Sequence, residues 1–462
     1  MNSKRICKCL AAALLCGPAL TTQLQAQSSD ALIDKLVDKG ILSVKEANDL
    51  REQADKNFNQ AYAVKTGMPD WVSSLRFYGD FRAREENFWS DAQYAVPSGS
   101  PAGTQPQDFV SRNRFRYRLR LGLVASLFDN FEVGLRLSSA DAANGGSGGN
   151  PVSGNTTFQS NGSRKYVYLE QAYGRWYFLN GPSLTGNITV GKMDNPFTTS
   201  EMIFDADYMP EGAAVQMAYR LDDINTLKFV GSGWMLNEIS TSSNDPYLFG
   251  AQGRWDAVWT KKWSTSIGGA AYSVQNTENL TTAAVPNQNV GNTRRSDGSL
   301  VNGYNPIVGD ASVTYTLESL PMYNGAFPVK VGGEYLYNPS APSSADNYGW
   351  NAGITFGKAG KRGTWELSYS YRWLGANAQW EELCDDDFVG FYAAKTPFPG
   401  PGASAGYAGG TGVKGHVIRL AYSPVDCLTL SAKAYIGDLI NPYPVNSDGH
   451  MNHIMIDATL KF

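Results

Sequence analysis

Beyond its N-terminal region the 462-residue chain has no run of about 20 apolar residues, so it offers no transmembrane helix. It is short of charge as well. Asp, Glu, Lys and Arg make up 18% of it, against roughly 25% in ordinary soluble domains. Histidine is rare: His416, His450 and His453 lie in no zinc-protease motif and beside no persuasive serine and carboxylate partner. Three of the five cysteines (Cys7, Cys9, Cys16) precede residue 27. The remaining two, Cys384 and Cys427, make no disulfide framework and fit no metal-site spacing. A formal net charge of −4 gives no nucleic-acid footprint. These absences argue against helical membrane proteins, disulfide-stapled domains, zinc hydrolases and nucleic-acid binders, and no metal or cofactor is expected.

What the chain has in quantity is glycine (48), tyrosine (25) and aromatics in general (12%). Residues 1–26 read as a secretory signal. Lys4, Arg5 and Lys8 form a positive start, Leu10 to Leu20 a short apolar stretch, and Ala26 a small residue at the cut. Lipidation at Cys16 is the weaker reading, because bulky Leu15 precedes it. Removal of residues 1–26 loses three positive charges and no acid, taking the net charge from −4 to −7. Residues 27–70 hold the convincing helical pattern. Leu32, Ile33, Leu36 and Val37 share a face, Gly40 ends the first helix, and Ser43 with Glu46 caps a second. A short periplasmic helical hairpin and linker is expected there.

From residue 71 the period changes to two. Leu75, Phe77, Phe81 and Ala83 alternate with Tyr78, Asp80, Arg82 and Arg84. In the next segment Phe115, Tyr117, Leu119, Leu121 and Leu123 form one face, and Arg112, Arg114, Arg116, Arg118 and Arg120 the other. Sixteen such segments follow one another to the C-terminus: near 71–88, 112–127, 131–140, 165–178, 184–193, 211–221, 225–237, 247–260, 263–275, 305–318, 327–338, 347–357, 364–374, 413–423, 428–438 and 450–462. Short connections such as Phe128–Asn130 and Lys261–Lys262 alternate with long polar ones such as 141–164, 276–304 and 375–412. In lipid every backbone N–H and C=O must be paired internally, which without membrane helices requires closure. The pattern therefore predicts an all-β fold, a transmembrane antiparallel barrel of 16 strands over 71–462. Ile454, Ile456, Ala458 and Leu460 alternate up to terminal Phe462, a strand of the kind that outer-membrane insertion machinery recognises.

Several stretches resemble a family usually labelled putative porins. They are Gly191–Phe197, Phe204–Gly212, Gly79–Glu85, the arginine ladder, and Gln171–Tyr173. Asp30–Arg51 is similar to the helical lead-in of such porins and, more distantly, of phosphate-selective porins. The resemblance implies a water-filled channel in the outer membrane of a diderm bacterium, surrounded by lipid and often homotrimeric. It implies passive diffusion of small hydrophilic solutes or ions, and no enzyme. An outer-membrane barrel enzyme of lipase or protease type, with His416 as its base, is the main alternative. A structural or adhesin barrel is another.

The lumen-facing bases expected are Arg82, Arg84, Arg112, Arg114, Arg116, Arg118, Arg120 and Arg136. Residues 194–210 form the third long connection, the one that folds into the lumen in sixteen-stranded porins. Its acids Asp194, Glu201, Asp205 and Asp207, with Glu211 just after, are expected to oppose the arginines across a constriction and set up a transverse field. The alternative is that the arginines pair with adjacent-strand acids such as Asp80, Glu86 and Glu132. Trp71, Phe88, Trp89, Trp176, Trp255, Trp259, Trp263, Trp365 and Trp373 read as interfacial girdle residues. Asp385–Asp387 reads as a solvated acidic cluster rather than a Ca²⁺ site, and Gly186–Met193 is a failed phosphate loop because Met193 replaces the Mg²⁺-binding hydroxyl.

Overall fold

Alternation of apolar and polar side chains decides the architecture, because one strand face must meet lipid and the other water. In the computed structural model the described residues are 69–462 without 91–92, 95–101, 106, 109–110, 143–147, 282–290, 296, 389–409 and 442–448. The chain divides into units 1–74 and 75–462. The helical hairpin expected within 27–70, like the signal segment, lies outside the described residues.

Sixteen long strands form the wall: β1 Val72–Trp89, β2 Arg112–Leu127, β3 Phe131–Ser139, β4 Val167–Asn180, β5 Leu184–Lys192, β6 Glu211–Arg220, β7 Asn225–Met235 and β8 Tyr247–Val258. Then come β9 Trp263–Gln275, β10 Ile307–Leu317, β11 Phe327–Tyr337, β12 Tyr348–Gly357, β13 Thr364–Leu374, β14 Val413–Val425, β15 Leu428–Leu439 and β16 His450–Lys461. Each pairs antiparallel with its neighbour, and β1 pairs with β16 to close the sheet, Phe81 opposite Leu460 and Glu85 opposite Ile456. Gly79 and Phe462 exchange backbone hydrogen bonds of 2.9 and 3.1 Å at the foot of this seam. Every one of the sixteen strands thus has a hydrogen-bonded neighbour on both sides. The fold is a closed antiparallel barrel of the expected strand number.

Tight turns join the strands at one end. Asp129 and Asn130 take left-handed φ values of 59° and 63° in the β2–β3 turn, a conformation that Asp and Asn tolerate. In the β6–β7 turn the Asp222 carboxylate accepts the Ile224 and Asn225 amides at 2.8 and 2.6 Å. The apolar parity faces outward: Phe77, Phe115, Leu121, Leu420 and Ile456 are all exposed. The opposite parity carries the ladder, with Arg116 and Arg118 buried inside. Turning those arginines to lipid would cost about 2–4 kcal/mol each near the midplane. Trp71, Trp89, Trp176, Trp259 and Trp263 are exposed as a girdle requires and Trp255, Trp365 and Trp373 half-buried, but Phe88 has the inward parity of its strand and is buried against His453, so it is no girdle residue.

Two connections depart from the expected external loops. β3 ends at Ser139 while β2 continues upward to Arg112, and part of the β3–β4 connection fills the gap. Thr156 and Thr157 pair with Tyr117 and Arg116 of β2, and the Phe158 amide bonds to Phe115 O at 2.8 Å. The 375–388 stretch, expected as part of an external loop, packs inside the barrel. Trp380, Leu383 and Phe388 join Met202, Ile203 and Phe204 of the β5–β6 connection against inward-facing Trp234, Leu248 and Tyr272. The apolar core of the protein therefore sits inside the long-loop half of the barrel and is built by loops.

Candidate functional site

Loop 193–210 crosses the lumen, because its polar side chains find partners on strands far apart around the wall. Near its start Asp194 meets Arg136 of β3 at 3.3 Å and accepts from Gln171. Thr198 exchanges hydrogen bonds with the Gln252 side chain of β8, at 3.0 and 2.8 Å. Ser200 binds the Glu334 carboxylate of β11 through its amide and its hydroxyl. Glu201 meets Lys433 of β15 at 2.7 Å. Asp207 meets Arg118 of β2 at 2.8 Å and Arg120 at 3.8 Å. After the loop, Glu211 pairs with Lys192 at 2.9 Å.

The acids of the loop are thus distributed around the lumen and do not form one row opposite the arginines. Asp207 is the member that reaches the ladder, and it does so in direct contact. Adjacent-strand acids hold the rest of it. Glu86 pairs with Arg114 and, at 3.5 Å, with Arg116; Asp80 pairs with Arg118 at 3.2 Å and Arg120 at 2.7 Å. Glu132 pairs with Arg175 rather than with the ladder. Arg84 meets Asp457 of β16 at 2.7 Å and Asp387 at 3.2 Å. Arg136 pairs with Glu170 as well as Asp194. Arg82 donates to the Asn155 side chain at 2.7 Å, and among the described residues no carboxylate lies within 4.0 Å of it. Arg112 begins β2 at the long-loop end.

Asp205 goes elsewhere. Its carboxylate converges with those of Asp385 and Asp386, with ligand atoms within 4.8 Å of one another, at the seam between the two inward loops. Backbone hydrogen bonds from Asp205 N to Leu383 O (2.7 Å) and from Asp385 N to Glu201 O (3.1 Å) close that seam. Of the expected solvated cluster, Asp385 is buried and Asp386 and Asp387 are half-buried, and Asp385 is engaged by Arg372 at 2.9 Å and by the Tyr435 hydroxyl at 3.2 Å. Electrostatics separates these acids. Lys433, against the opposing effect of burial and with help from Arg372, holds the Glu201 carboxyl down at about 2. For Asp207 burial pushes up, but Arg118, Arg82 and Arg120 together hold the carboxyl well below its ordinary range. For Asp205 burial and the neighbouring carboxylates Asp386, Asp207 and Asp385 act together and push it well up.

Sequence parity misses Lys433, Arg372, Glu334 and the buried His453, whose Nε2 lies 3.4 Å from Glu86 while its ring stacks on Phe88 at 3.9 Å. A usable signal exists for the second inward loop: Trp380, Leu383 and Phe388 are large apolar residues in a stretch otherwise read as solvated. His416, the base an enzymatic reading would use, stands on the outer wall with Nδ1 2.9 Å from the Tyr369 hydroxyl. Residues Ile454, Ile456, Ala458 and Leu460 face outward on β16, as a lipid-facing terminal strand requires.

Among solved structures, OprB of Pseudomonas putida in its high-pH form is 7% identical, covers 87% of this chain and 97% of its own, and has a TM-score of 0.47. The outer membrane channel DcaP of Acinetobacter baumannii is 14% identical, with 84% and 97% covered and a TM-score of 0.41. A triple mutant of Rhodopseudomonas blastica porin is 9% identical, with 84% and 100% covered and a TM-score of 0.38. No curated protein sequence matches the chain. The family model described as putative porin matches residues 56–303, more than half of the chain. With the wall closed by sixteen strands, the chain belongs to the putative porin family and is an outer-membrane channel for passive diffusion.

Proposed function

We propose that small hydrophilic solutes and ions pass a constriction formed where loop 193–210 docks on the arginine ladder, and that the fixed charges there set selectivity. The observation that carries this reading is the Asp207–Arg118 contact, which ties the loop to β2 across the lumen. Charges in a narrow, poorly screened throat act on a passing ion far more strongly than at an open surface. Arg82, Arg84, Arg112, Arg114, Arg116, Arg118, Arg120 and Arg136 supply the positive charge. Asp194, Glu201, Asp207 and Glu211 supply the negative charge near the path, and Asp205 acts indirectly by holding the loop. The channel works without catalysis, as a homotrimer whose mature chain begins near Gln27, with 27–70 as a periplasmic segment. Insertion machinery reads Ile454–Phe462.

Planar-bilayer recording tests the reading. Arg116→Glu is expected to shift the reversal potential towards cations at about 0.1 M salt. At about 1 M the shift should shrink, because the Debye length falls from about 10 to about 3 Å. A normally inserted variant with unchanged conductance and reversal potential would remove the ladder from the conducting path. Lipase and protease assays on refolded protein are expected to read no activity, and turnover in either would favour the enzymatic alternative.

A further inference from the structure

The lumen-facing side of β10–β13, towards the short-turn end from the loop, carries a pattern of which the constriction loop uses only the uppermost row. Strand register arranges its inward residues in three transverse rows. Asp310, Glu334, Asn351 and Arg372 are successive cross-strand partners nearest the long-loop end. Next come Ser312, Gly332, Gly353 and Ser370, then Thr314, Lys330, Thr355 and Ser368. The two adjacent glycines project no side chain into the lumen, and the neighbouring strands pack closely against them. A Cβ on Gly332 would lie 2.8 Å from Ser312 Cβ, and one on Gly353 would lie 2.7 Å from Tyr369 O. With Thr198–Ser200 of the loop at one side, these rows line an open recess of about 430 Å³, the size of a small-molecule site.

The charges around this hollow are not equivalent. Lys228 meets Asp256 at 2.7 Å, and Arg254 meets Asp310 at 2.6 Å. Glu334 is committed to the loop, accepting from Ser200 and from Asn351 Nδ2 at 3.3 Å. Lys330 differs. It is exposed to the hollow, and among the described residues no carboxylate lies within 4.0 Å of its ammonium. Its cross-strand neighbours are threonines on both sides, and the serines of the middle row stand beyond it. A lone ammonium ringed by hydroxyls matches a ligand with one negative oxygen pair and hydroxyl groups of its own, since a charge-assisted bond fixes one end and neutral bonds the rest. Among the described residues no aromatic side chain lines the hollow, so they offer no platform for stacking a sugar ring.

We propose that this hollow is a subsite for small hydroxylated carboxylates. The carboxylate sits on Lys330, and its hydroxyls meet Ser312, Thr355 and Ser370. The proposal rests on the channel reading given above.

The test compares gluconate, propionate and sorbitol as probes: a hydroxylated carboxylate, a plain carboxylate and a neutral polyol. Each is titrated against wild-type channels in a planar bilayer, and equilibrium dialysis against folded, detergent-solubilised protein runs in parallel. Gluconate is expected to reduce current and to bind at concentrations about tenfold lower than either of the others. Lys330→Met should remove about that factor, and Lys330→Arg should restore most of it. Thr355→Val should narrow the preference for gluconate over propionate. Equal effects of the three probes on wild type, or gluconate binding to Lys330→Met as to wild type, would overturn the subsite. If dialysis shows the gluconate preference while no channel conducts, the subsite stands and the channel reading fails.

Discussion

Asp207 accepts a hydrogen bond from Arg118 at 2.8 Å, although the two residues are 89 apart in sequence. One carboxylate thereby fastens a loop that leaves β5 to the ladder of β2. Arg118 keeps a second partner, Asp80, at 3.2 Å, so removing Asp207 leaves no bare buried charge. Asp207→Asn is expected to cost about 1–3 kcal/mol of loop docking, less than the loss of a lone buried partner. It should also move the reversal potential towards anions. Bilayer recordings with normal insertion and no such movement would show that this contact lies off the conducting path.

The seam between the two inward loops should respond to pH in the opposite sense from the Asp207 contact. Asp205 and Asp386 are pushed up, first by burial and then by neighbouring carboxylates. The groups facing them include Asp385, Asp387, Asp207, Glu86 and Arg116. Beside them burial and Glu201 disfavour the charged form of Asp385, and Lys433 and Arg372 favour it. A carboxyl whose folded value is raised contributes stability that is fully present below its ordinary value of 3.8. That stability is lost as pH rises through the raised value. Asp207 is held below its ordinary value, so its contribution is present above about 4 and fails only in acid. Hydrogen exchange corrected for intrinsic rates should show protection of 201–208 and 381–388 falling as pH rises above the ordinary carboxyl value of 3.8. Asp386→Asn should flatten that fall. Protection independent of pH in the wild type would contradict the assignment.

The two late cysteines should behave as a buried and an exposed thiol. Cys384 packs among the inward loops, where burial pushes its thiol well up, while Cys427 lies exposed in the β14–β15 turn. The thiolate is the reactive form. A maleimide reagent is expected to add once to the folded mature protein, at Cys427, and twice after unfolding. Rapid double labelling of folded protein would place Cys384 outside the core.

Phe462 should matter for assembly more than for the finished barrel. Phe462 holds Gly79 through its backbone, while its side chain is 66% exposed. Phe462→Asp leaves the backbone pairing possible and changes what an insertion machine would read. Pulse-chase labelling with heat-modifiable gel mobility is expected to show slower folding to the same final state. An unchanged rate would remove Phe462 from the recognition signal.

All sixteen strands were legible because a lipid-facing and a water-facing parity must alternate along each of them. Boundaries moved by a few residues, as where 165–178 became Val167–Asn180, and a register shift at Arg136/Leu137 lets both Glu170 and Gln171 face inward. Inward placement of the arginines followed from the cost of charge in lipid. Their partners did not, because Glu201 reaches Lys433 across 232 positions and no local pattern encodes that meeting. The inward turn of 375–388 was hidden for a different reason. Its apolar residues are spaced by polar ones that are satisfied inside, such as Asn377 and Glu381, so the segment looks solvated.

The patch of β3–β4 connection beside β2 makes a loop part of the permeability barrier. Over 156–158 it is backbone-paired in place of the missing upper half of β3, while Ser153 and Asn155 accept from Arg116 on the inner side. Proteolysis or a deletion there would open a lateral leak through the wall, where the same lesion in a purely external loop would trim the mouth. The sequence of this short stretch is therefore constrained as a strand would be, on one face by Phe115 and Tyr117 and on the other by the arginines it covers.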